Sequence, residues 1–315
     1  MMTARIAGIG AYVPENLITN DDLAKIVDTN DEWIRTRTGI RERRISSGEG
    51  TRHLAAKAAE RALAAAGVAP EELDIIILGT SSPDRNYPSD ACSVQAAIGA
   101  VNAVAFDISA ACAGFIFAMN IVEGFFKAGI YKTALIIGAE TLSKVTDWSD
   151  RGTCVLFGDG AGAAIFRLAD TPFALTLGAR GSDVLHAGGP DRNGSAPITM
   201  DGKAVFRFAV DALPRCLHTV LDETGKTLDE VDWVVCHQAN SRIIDHCVRA
   251  LKADPAKFYK NMDRHGNTSA ASIPVALNEL AETGQLQPGQ TAACIGFGGG
   301  LTWGGMIVEY DPARF

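Results

Sequence analysis

The sequence predicts an α/β fold made of two similar halves, and three observations support this prediction. Short apolar runs bounded by Gly or Asp, which are typical of buried strands, alternate with Ala-rich stretches of helical character. Segments of the first half resemble segments of the second at one constant offset. With 315 residues, 47% hydrophobic and 21% charged, the chain is long enough for two packed halves. We expect these halves to be residues 1–170 and 171–315, joined near residues 168–175.

Three segment pairs carry the repeat, and each pair is offset by 158 residues. The pairs are ELDIIILG (72–79) with EVDWVVCH (230–237), TALIIGA (133–139) with TAACIGF (291–297), and SAACAGFIFAMN (109–120) with NTSAASIPVALN (267–278). A shared register across three separate segments favours duplication over chance similarity. It places Cys112 opposite Ala270, and His237 opposite Gly79. A pseudo-twofold axis would bring such strand-to-helix corners together, so we expect the functional site between the halves.

Individual elements follow from composition and boundary residues. Strands are predicted where short apolar runs end at Gly, Asp or another polar residue, at residues 6–11, 74–79, 103–109, 133–139, 155–157, 163–167, 232–237, 291–297 and 303–309. Helices are predicted where Ala-rich or apolar stretches are too long for a strand, at residues 53–66, 111–127 and 269–282. Gly67 ends the first of these helices, because glycine readily takes the left-handed conformation that closes a helix.

Composition excludes several classes of protein. The formal net charge of −8 argues against general nucleic-acid binding, although a local basic patch could still bind an acidic partner. The seven cysteines are an odd number without a CxxC pair, so neither a disulfide framework nor a metal site is indicated. No transmembrane helix is indicated, and the N-terminal MMTARIAGIG lacks the pattern of a secretory signal. We expect a cytoplasmic protein.

Cys112 lies where a predicted strand ends and a predicted buried helix begins. The helix is apolar nearly all round, and its first amides and its macrodipole favour negative charge at this point. We therefore expect the Cys112 thiol to be stabilised as a nucleophilic thiolate. The small neighbours Ala110, Ala111, Ala113 and Gly114 would allow a sharp turn and leave room for a bulky substrate. The alternative is a small buried residue at a tight corner, and partner residues are needed to decide.

Two polar residues of the second half could be those partners. His237 follows the apolar run VDWVVC, and Asn267 precedes a helix within DRHGNTSAAS. A histidine at a strand end is often structural, and an asparagine before a helix is often an N-cap. Both residues end strands that would face the pseudo-twofold axis, however. This common position favours a site shared with Cys112.

Five motifs resemble those of β-ketoacyl-acyl-carrier-protein synthase III, the condensing enzyme that starts bacterial type II fatty acid synthesis. They are DISAACAG, FGDGAGA, HQAN, DRHGNTSAASIP and GFGGGLTWG, and GAYVPEN, TNDEWI and the terminal Phe315 extend the match along the whole chain. The resemblance implies a thiolase-like fold, with two duplicated α/β halves in a five-layered α-β-α-β-α arrangement, and a homodimer. It also implies a decarboxylative Claisen condensation of an acyl-CoA primer, such as acetyl-CoA, with malonyl-acyl-carrier protein. No permanently bound cofactor is implied, because acyl-CoA is a substrate.

The family's Cys–His–Asn triad maps onto Cys112, His237 and Asn267. The resemblance implies that the Cys112 sulfur takes the acyl group from the primer. The other two side chains would then donate hydrogen bonds to the negative charge that forms when the malonyl group loses CO2. Acylation needs a second oxyanion hole, for which the family uses backbone amides of Cys112 and of the loop 298–300, and we expect Gly299 to supply the latter. The alternative is that GFGGG only forms a tight turn.

Further residues match family positions that bind substrate. Trp33 and Arg37 match the pair that holds the adenine of CoA, and Arg151 would complete this stack unless it is an ordinary surface charge. The residues that match the pantetheine tunnel are Phe206, Ala239, Asn240 and Phe297. Phe297 is also expected at the acyl pocket, together with Tyr87, whose family counterpart reaches across the dimer.

The helix after His237 would present basic residues to acidic acyl carrier protein. Arg242, Arg249 and Lys252 lie on this helix or at its end. An exposed helix face explains Arg249 and Lys252 equally well. The acyl chain length that the pocket accepts stays open.

Related enzymes of the same fold are the main alternatives. A thiolase would need a second catalytic Cys in the GFGGG region, and elongating condensing enzymes use two His where this chain has His237 and Asn267. Hydroxymethylglutaryl-CoA synthase relies on a catalytic Glu and lacks GNTSAAS in this form. A starter-unit synthase or acyltransferase of the same subfamily in secondary metabolism stays open. A non-catalytic carrier-protein-binding module would lack a member of the triad, and none is missing.

Overall fold

A computed structural model describes residues 3–188, 190–191, 194–195 and 197–312 of the chain, and Phe315 lies outside the described residues. The strands are β1 (Thr3–Tyr12), β2 (Leu17–Thr19), β3 (Glu42–Arg44), β4 (Ile75–Gly79), β5 (Val104–Ile108), β6 (Thr133–Glu140), β7 (Gly160–Ala169), β8 (Ala174–Ser182), β9 (Leu185–His186), β10 (Pro190–Asp191), β11 (Gly194–Ser195), β12 (Thr199–Met200), β13 (Trp233–Cys236), β14 (Gln290–Gly298) and β15 (Gly300–Tyr310). The α-helices are α1 (Asn20–Leu23), α2 (Asp31–Thr38), α3 (Thr51–Ala66), α4 (Asp90–Ile98), α5 (Gly114–Lys127), α6 (Gly202–Thr224), α7 (Ser241–Leu251), α8 (Met262–His265) and α9 (Ser272–Glu282).

Two groups of strands build the central sheets. In the first half the order is β5-β4-β6-β7-β1, in which β5, β4 and β6 are parallel and β7 is antiparallel to its neighbours. In the second half the order is β13-β14-β15-β8, in which β13 and β14 are parallel and β15 is antiparallel to β14 and β8. A short parallel contact of β1 with β15 joins the groups, at Arg5 with Glu309 and Ile6 with Tyr310. Both halves therefore place an antiparallel strand after a parallel set, as duplication predicts.

Helices α5 and α9 lie between the two groups of strands. Phe115 and Met119 of α5 and Ile273 and Leu277 of α9 are buried in one cluster with strand residues of both halves. Helices α3 and α4 pack on the outer face of the first group, and α6 and α7 pack on the outer face of the second. Burying each large apolar side chain stabilises the fold by about 1.5–3 kcal/mol. The predicted α/β fold class with five α-β-α-β-α layers is confirmed.

The 158-residue register of the repeat holds in three dimensions. Helices α5 and α9 begin 158 residues apart, at Gly114 and Ser272, and each follows a short 3-10 turn. Ala111 and Ser269, the first residues of those turns, both have a left-handed backbone, with φ of 46° and 49°. The two turns contact each other. The corners that precede α5 and α9 therefore meet at the centre of the molecule.

Some predicted elements differ from the observed ones. The strand predicted at residues 155–157 is wrong, because residues 151–156 form turns and Phe157 makes only an isolated bridge to Asn267. Those apolar residues are buried around a cavity rather than in a sheet. Strand β8 was not predicted, because much of the strand is exposed and its sequence is not a continuous apolar run. We propose that the loop at residues 170–173, between β7 and β8, separates the halves. None of the helices in the described ranges is both long and apolar enough to cross a bilayer.

Candidate active site

Cys112 lies in the middle of the 3-10 turn Ala111–Ala113, directly before α5, and its side chain is buried. Burial raises the pKa of the Cys112 thiol to about 12, the hydroxyl of Ser269 opposes this rise, and Glu140 adds to it. Burial and the neighbouring Glu140 therefore oppose the thiolate that the sequence predicts, whereas the start of α5 favours negative charge here. The ionised form of Cys112 stays a prediction.

His237 directly follows β13. Its backbone N–H donates to the carbonyl oxygen of Ile295 at 2.7 Å, and its ring packs edge-on against Phe297 with 5.2 Å between the ring centroids. The side chain is only 2% exposed. Burial lowers the pKa of His237 to about 3. The imidazole is therefore neutral at physiological pH.

Ser272, the first residue of α9, contacts the imidazole of His237. Its Oγ lies 2.7 Å from Nδ1 of His237 and 3.3 Å from the backbone nitrogen of Gln238. Because the Gln238 N–H donates to this oxygen, the hydroxyl can give its own proton to Nδ1. This arrangement allows the tautomer in which Nε2 carries the ring proton and can donate to a substrate.

Asn267 is fixed by both halves of the chain. Its backbone N–H donates to the carbonyl oxygen of Leu156 at 2.8 Å, and its carbonyl oxygen accepts from the N–H of Gly158 at 3.0 Å. The side-chain Oδ1 accepts from the backbone N–H of Ser269 at 2.9 Å. This bond occupies the oxygen end of the amide. The NH2 end is left to donate.

One cavity of about 550 Å³ brings Cys112, His237 and Asn267 together. A cavity of this size is typical of a small-molecule site. The other predicted site residues that line it are Trp33, Arg37, Phe206, Ala239, Asn240, Arg242 and Phe297. The lining residues that the sequence did not indicate include Thr38, Met200, Lys203, Arg207 and Ile243. Both halves of the chain contribute to this cavity, as the repeat predicts.

Trp33 at the mouth of the cavity carries two guanidinium groups over its ring. The Arg37 guanidinium lies 4.5 Å from the ring centroid and that of Arg151 lies 4.9 Å from it. Arg151 also donates to the carbonyl oxygen of Asp28 at 2.8 Å. Asn240 supports this mouth from the second half, because its side-chain NH2 donates to the Arg37 carbonyl oxygen at 3.0 Å. Trp33, Arg37 and Arg151 together form a preformed aromatic and cationic surface.

The glycine loop after β14 packs directly on the nucleophile turn. A Cβ added to Gly298 would lie 2.6 Å from the backbone nitrogen of Cys112. One added to Gly299 would lie 3.6 Å from Cβ of Ala111. A side chain at residue 298 would therefore collide with the Cys112 amide. This contact brings the loop to the place where the sequence predicts an oxyanion hole.

A second, smaller cavity of about 80 Å³ also reaches Cys112. Its other lining residues are Ser81, Ala111, Leu142, Phe157, Leu185, His186, Ala187, Ile198, Ser269 and Gly299. Tyr87, expected at the acyl pocket, does not line either cavity of its own chain and is 86% exposed. Phe297, expected there too, lies in the larger cavity beside His237.

Several basic residues line the larger cavity. Arg242 lies 5.6 Å from the centroid of the Phe206 ring and lines the cavity, whereas Arg249 is exposed in the last turn of α7 away from the lining. Lys203 and Arg207, one turn apart on α6, line it as well. Lys203 and Arg207 are four residues apart and flank the aromatic Phe206, and this pattern could have identified them from the sequence. Among the described residues, no group of three or more His, Cys, Asp or Glu side chains is arranged to hold a metal ion.

Comparison with known proteins gives matches over the whole chain. The family model of 3-oxoacyl-[acyl-carrier-protein (ACP)] synthase III matches residues 106–181, and the model of the C-terminal part of that enzyme matches residues 221–310. The beta-ketoacyl-[acyl-carrier-protein] synthase III of Clostridium acetobutylicum is 48% identical over 98% of this chain and 99% of its own length.

Comparison with solved structures points to the same family. The 3-oxoacyl-[acyl-carrier-protein] synthase III from Aquifex aeolicus is 46% identical, with a TM-score of 0.93 over 98% of this chain and 100% of that one. The priming beta-ketosynthase from the R1128 polyketide biosynthetic pathway is 35% identical, with a TM-score of 0.93 over 98% of this chain and 96% of that one. Identity of this extent, in the same fold and along nearly the full length of these relatives, shows that the chain belongs to the 3-oxoacyl-[acyl-carrier-protein] synthase III family.

Proposed function

We propose that the chain condenses an acyl-CoA primer, such as acetyl-CoA, with malonyl-acyl-carrier protein to give a 3-oxoacyl-acyl-carrier protein, CoA and CO2, and so initiates fatty acid synthesis. One observation carries the proposal. A buried thiol of the first half, Cys112, shares a cavity with two uncharged hydrogen-bond donors of the second half, His237 and Asn267. Family membership gives the reaction class, and this arrangement gives each side chain a role.

In the first step the Cys112 sulfur gives up its proton and attacks the thioester carbonyl of the primer, the bond from the acyl carbon to the CoA sulfur breaks, and CoA takes up a proton and leaves as a thiol. Negative charge develops on the carbonyl oxygen during this attack. The backbone N–H groups of Cys112 and Gly299 donate to that oxygen in our proposal. The close approach of Gly298 to the Cys112 amide supports it, because this contact holds the two backbone segments side by side.

In the second step malonyl-acyl-carrier protein enters, and the malonyl group loses CO2. The electrons of the broken C–C bond move onto the thioester oxygen, where Nε2–H of His237 and the NH2 group of Asn267 donate hydrogen bonds. Both donors are uncharged, so they stabilise the enolate without giving up a proton. The enolate carbon then attacks the acyl group on Cys112, and the sulfur leaves.

The larger cavity and its mouth at Trp33 suit a substrate with a purine and a long flexible arm. Trp33, Arg37 and Arg151 bind the adenine of CoA in our proposal, through stacking and cation–π contact. The pantetheine arm passes the residues Phe206, Ala239 and Asn240 to reach Cys112. The basic residues Arg242 and Arg249, with Lys203 and Arg207, attract the acidic carrier protein.

The smaller cavity receives the acyl chain. It shares Cys112 with the tunnel and is lined mainly by apolar side chains such as Leu142, Phe157 and Ile198. Its volume of about 80 Å³ suits a short chain. Tyr87 is exposed in its own chain, so we assign it to the acyl pocket of a partner subunit, whereas Phe297 lies beside His237 in the larger cavity.

A homodimer is part of the proposal. Strand β5 pairs only with β4 among the described strands, so its other edge is open. Val104 on this strand and nearby Val101 and Tyr87 are exposed, at 48%, 76% and 86%. An open edge with apolar side chains is a site for pairing with another chain. A second copy of β5 covers this edge in our proposal and brings Tyr87 to the neighbouring subunit.

No resident cofactor is needed, because the two thioesters and the malonyl carboxylate supply the chemistry themselves. We place the enzyme in the cytoplasm, where acyl-CoA and the carrier protein are found.

A second candidate function is priming of a secondary-metabolite synthase. The similarity to the priming beta-ketosynthase of the R1128 polyketide pathway favours it, and such an enzyme uses the same site with another primer or carrier.

Mass spectrometry of the intact protein tests the proposal. The chain is incubated with acetyl-CoA and with longer acyl-CoAs, and we expect one acyl adduct that maps to Cys112 and is absent from C112A. Addition of malonyl-acyl-carrier protein should then release the adduct as a 3-oxoacyl-carrier protein. No adduct with any primer contradicts the proposed reaction. Transfer only to a carrier protein of a secondary pathway supports the second candidate.

A further inference from the structure

A single carboxylate of the second half holds four side chains of one short segment. Glu279 lies on α9, and its Oε1 is 2.7 Å from Nε2 of His265. Its Oε2 accepts from Nδ2 of Asn261 at 2.8 Å, from the hydroxyl of Tyr259 at 3.1 Å and from Nη2 of Arg264 at 3.1 Å. Both carboxylate oxygens are therefore occupied, and the segment is attached to α9 at four points.

These contacts are strong because water reaches them poorly. The side chains of Glu279 and His265 are only 20% and 12% exposed. Burial raises the pKa of Glu279, but hydrogen bonds from His265 and Asn261 and the charge of Arg264 outweigh this effect, so the pKa is lowered. Glu279 is therefore an ionised acceptor near neutral pH. Hydrogen bonds to an ionised group are shorter and stronger than those between neutral groups.

The segment, residues 259–265, leads directly to Asn267. A Cβ added to Gly158 would lie 2.2 Å from the His265 carbonyl oxygen, and the Gly158 N–H donates to the Asn267 carbonyl oxygen at 3.0 Å. Gly266, which joins His265 to Asn267, has a φ of 65°, a conformation that favours glycine. The backbone between the segment and Asn267 has little room to relax. The position of the segment therefore sets the position of Asn267.

The other end of the segment is tied to the residue after His237. The Gln238 side chain is only 1% exposed, and its Oε1 accepts from the Asn261 N–H at 3.0 Å. Its Nε2 donates to the carbonyl oxygens of Tyr259 at 3.1 Å and of Cys236 at 2.7 Å. The segment therefore spans the two proposed donors to the enolate, with one end attached beside the imidazole.

Helix α9 connects the same two donors a second time. Oγ of Ser272, at the start of the helix, lies 2.7 Å from Nδ1 of His237. Glu279 comes seven residues later, which is close to two helical turns, so both side chains lie on one face about 10 Å apart along the axis. This face holds His237 through Ser272 and the segment before Asn267 through Glu279.

The repeat shows that this carboxylate belongs to one half only. At the offset of 158 residues, Glu279 corresponds to Ile121 on α5. An isoleucine is the ordinary choice for a helix packed between two sheets. The carboxylate interrupts this pattern in the half that supplies the donors to the enolate, and not in the half that supplies the nucleophile.

We propose that Glu279 is a positioning residue for the decarboxylation step, an inference that rests on the proposed function. Glu279 lines neither cavity, so it does not touch the substrate. It holds the segment, and thereby keeps the Asn267 NH2 group at the place where that group and His237 meet the thioester oxygen of the enolate. A misplacement of about 1 Å can cost about 100-fold in rate. Acylation of Cys112 uses backbone amides in our proposal and does not depend on this placement.

Two variants of Glu279 separate hydrogen bonding from packing. Glu279→Ala removes all four contacts. Glu279→Gln keeps a carbonyl oxygen for the three donors at Oε2, and its NH2 group can donate to Nε2 of a neutral His265. Nδ1 of His265 has no partner among the described residues, so no neighbour fixes the other tautomer. Glutamine is therefore the conservative replacement.

The test compares CO2 release from malonyl-acyl-carrier protein with acylation of Cys112 by acetyl-CoA on the same preparation. We expect E279A to release CO2 about 10–100-fold more slowly, while acylation changes by less than about threefold. E279Q should release CO2 within about threefold of the wild-type rate, because it keeps the hydrogen bonds. The double variant N267A/E279A should be no slower than N267A, because Glu279 acts through Asn267.

Asp232→Ala is the matched control. Asp232 is a carboxylate of the second half that accepts from the Thr291 N–H at 2.8 Å and from Nε2 of Gln290 at 3.1 Å, and it lines neither cavity. Its loss removes hydrogen bonds that hold two strands together and leaves the segment before Asn267 untouched. We expect D232A to lower the melting temperature and to keep the wild-type ratio of the two rates.

The other outcomes overturn the inference. Equal loss of both rates in E279A, or a lower melting temperature with both rates kept, shows that Glu279 only stabilises the fold. The inference also fails if a folded E279Q is as slow as E279A, or if the losses of E279A and N267A multiply in the double variant. Should E279A fail to fold by circular dichroism, His265→Ala, which removes only the contact at Oε1, decides by the same ratio of rates. A wild-type protein that releases no CO2 contradicts the proposed function, and this inference falls with it.

Discussion

The hydroxyl of Thr302, in the second half of the chain, donates to the carbonyl oxygen of Ala110, in the first half, at 3.0 Å. Oγ1 of Thr302 also lies 3.0 Å from the carbonyl oxygen of Gly299. One buried side chain thus links the turn that carries Cys112 with the loop that is proposed to complete the oxyanion hole. The two N–H donors of that hole come from separate halves, so this link sets their spacing.

Loss of this hydroxyl is expected to slow acylation. Thr302→Val keeps the shape of the side chain but cannot donate, and a positioning hydrogen bond is worth about 0.5–1.5 kcal/mol, which corresponds to a rate factor of about 2–13. Thr302→Ser should restore the rate, because it keeps the donor. Single-turnover acylation by acetyl-CoA measures the effect, and the KM for acyl-CoA should not change. A serine variant as slow as the valine variant would show that packing, rather than the hydroxyl, is responsible.

His237 is expected to stay uncharged between about pH 5 and 8. Its pKa is lowered to about 3 by burial, so the folded state binds this proton less tightly than the unfolded state. The stability associated with neutral His237 is therefore present above the unfolded pKa near 6.5 and is lost as the pH falls towards 3. NMR of the imidazole signals, assigned by comparison with H237Q, measures the titration. A His237 resonance that titrates near pH 6.5 would contradict the neutral-donor role.

Asn267→Ala is expected to separate the two chemical steps. It removes one donor to the enolate oxygen, which typically costs about 10²–10³-fold, and it removes no group from the attack of Cys112. CO2 release from malonyl-carrier protein should fall by that amount, while acylation changes by less than about threefold. Both rates are measured on the same preparation. Equal loss in the two steps would mean that Asn267 acts through the turn Ser269–Ala271, which its Oδ1 binds and which contacts the turn of Cys112, rather than on the enolate.

Much of this arrangement can be predicted from the sequence. A single register of 158 residues relates the turns before α5 and α9, and it identified the corner that holds Cys112 and the central position of the site. His237 could be recognised because a polar residue directly after a buried strand is unusual. The predicted place of Asn267 at a strand end is wrong, because Asn267 follows α8 and makes only an isolated bridge to Phe157. The fold class follows from the same repeat and from the alternation of apolar strands with helices.

The roles of Ser269 and Ser272 could not be predicted. Both are serines in the run NTSAAS, and the residue pattern does not tell which one lines the smaller cavity with Cys112 and which one contacts the His237 imidazole. That depends on the left-handed backbone at Ser269 and on the start of α9 at Ser272. The burial that opposes a Cys112 thiolate could not be predicted for a related reason, because helix ends can be read locally but the depth of burial depends on the whole fold.

Arg151 is expected to contribute to CoA binding. Its guanidinium and that of Arg37 both lie over the Trp33 ring, so an adenine that stacks there would exchange one of these contacts for a contact with the purine. A cation–π contact at such an exposed site is worth about 0.5–1 kcal/mol, so Arg151→Ala should raise the KM for acyl-CoA about two- to fivefold. The KM for malonyl-carrier protein is the internal comparison. K57A, which removes an exposed cation on α3, is the control, and an unchanged KM in R151A would identify Arg151 as an ordinary surface charge.

The open edge of β5 gives the last prediction. Val104→Glu places a charge among the exposed apolar residues of this edge, and charges on an edge strand oppose pairing. We expect V104E to be monomeric by light scattering and to lose most condensation activity, because Tyr87 of a partner subunit could no longer close the acyl pocket. Ile130→Glu is the matched control, since Ile130 is also exposed, at 60%, but lies in the turn after α5. A V104E protein that remains dimeric would place the interface elsewhere, and a fully active monomer would show that each subunit closes its own pocket.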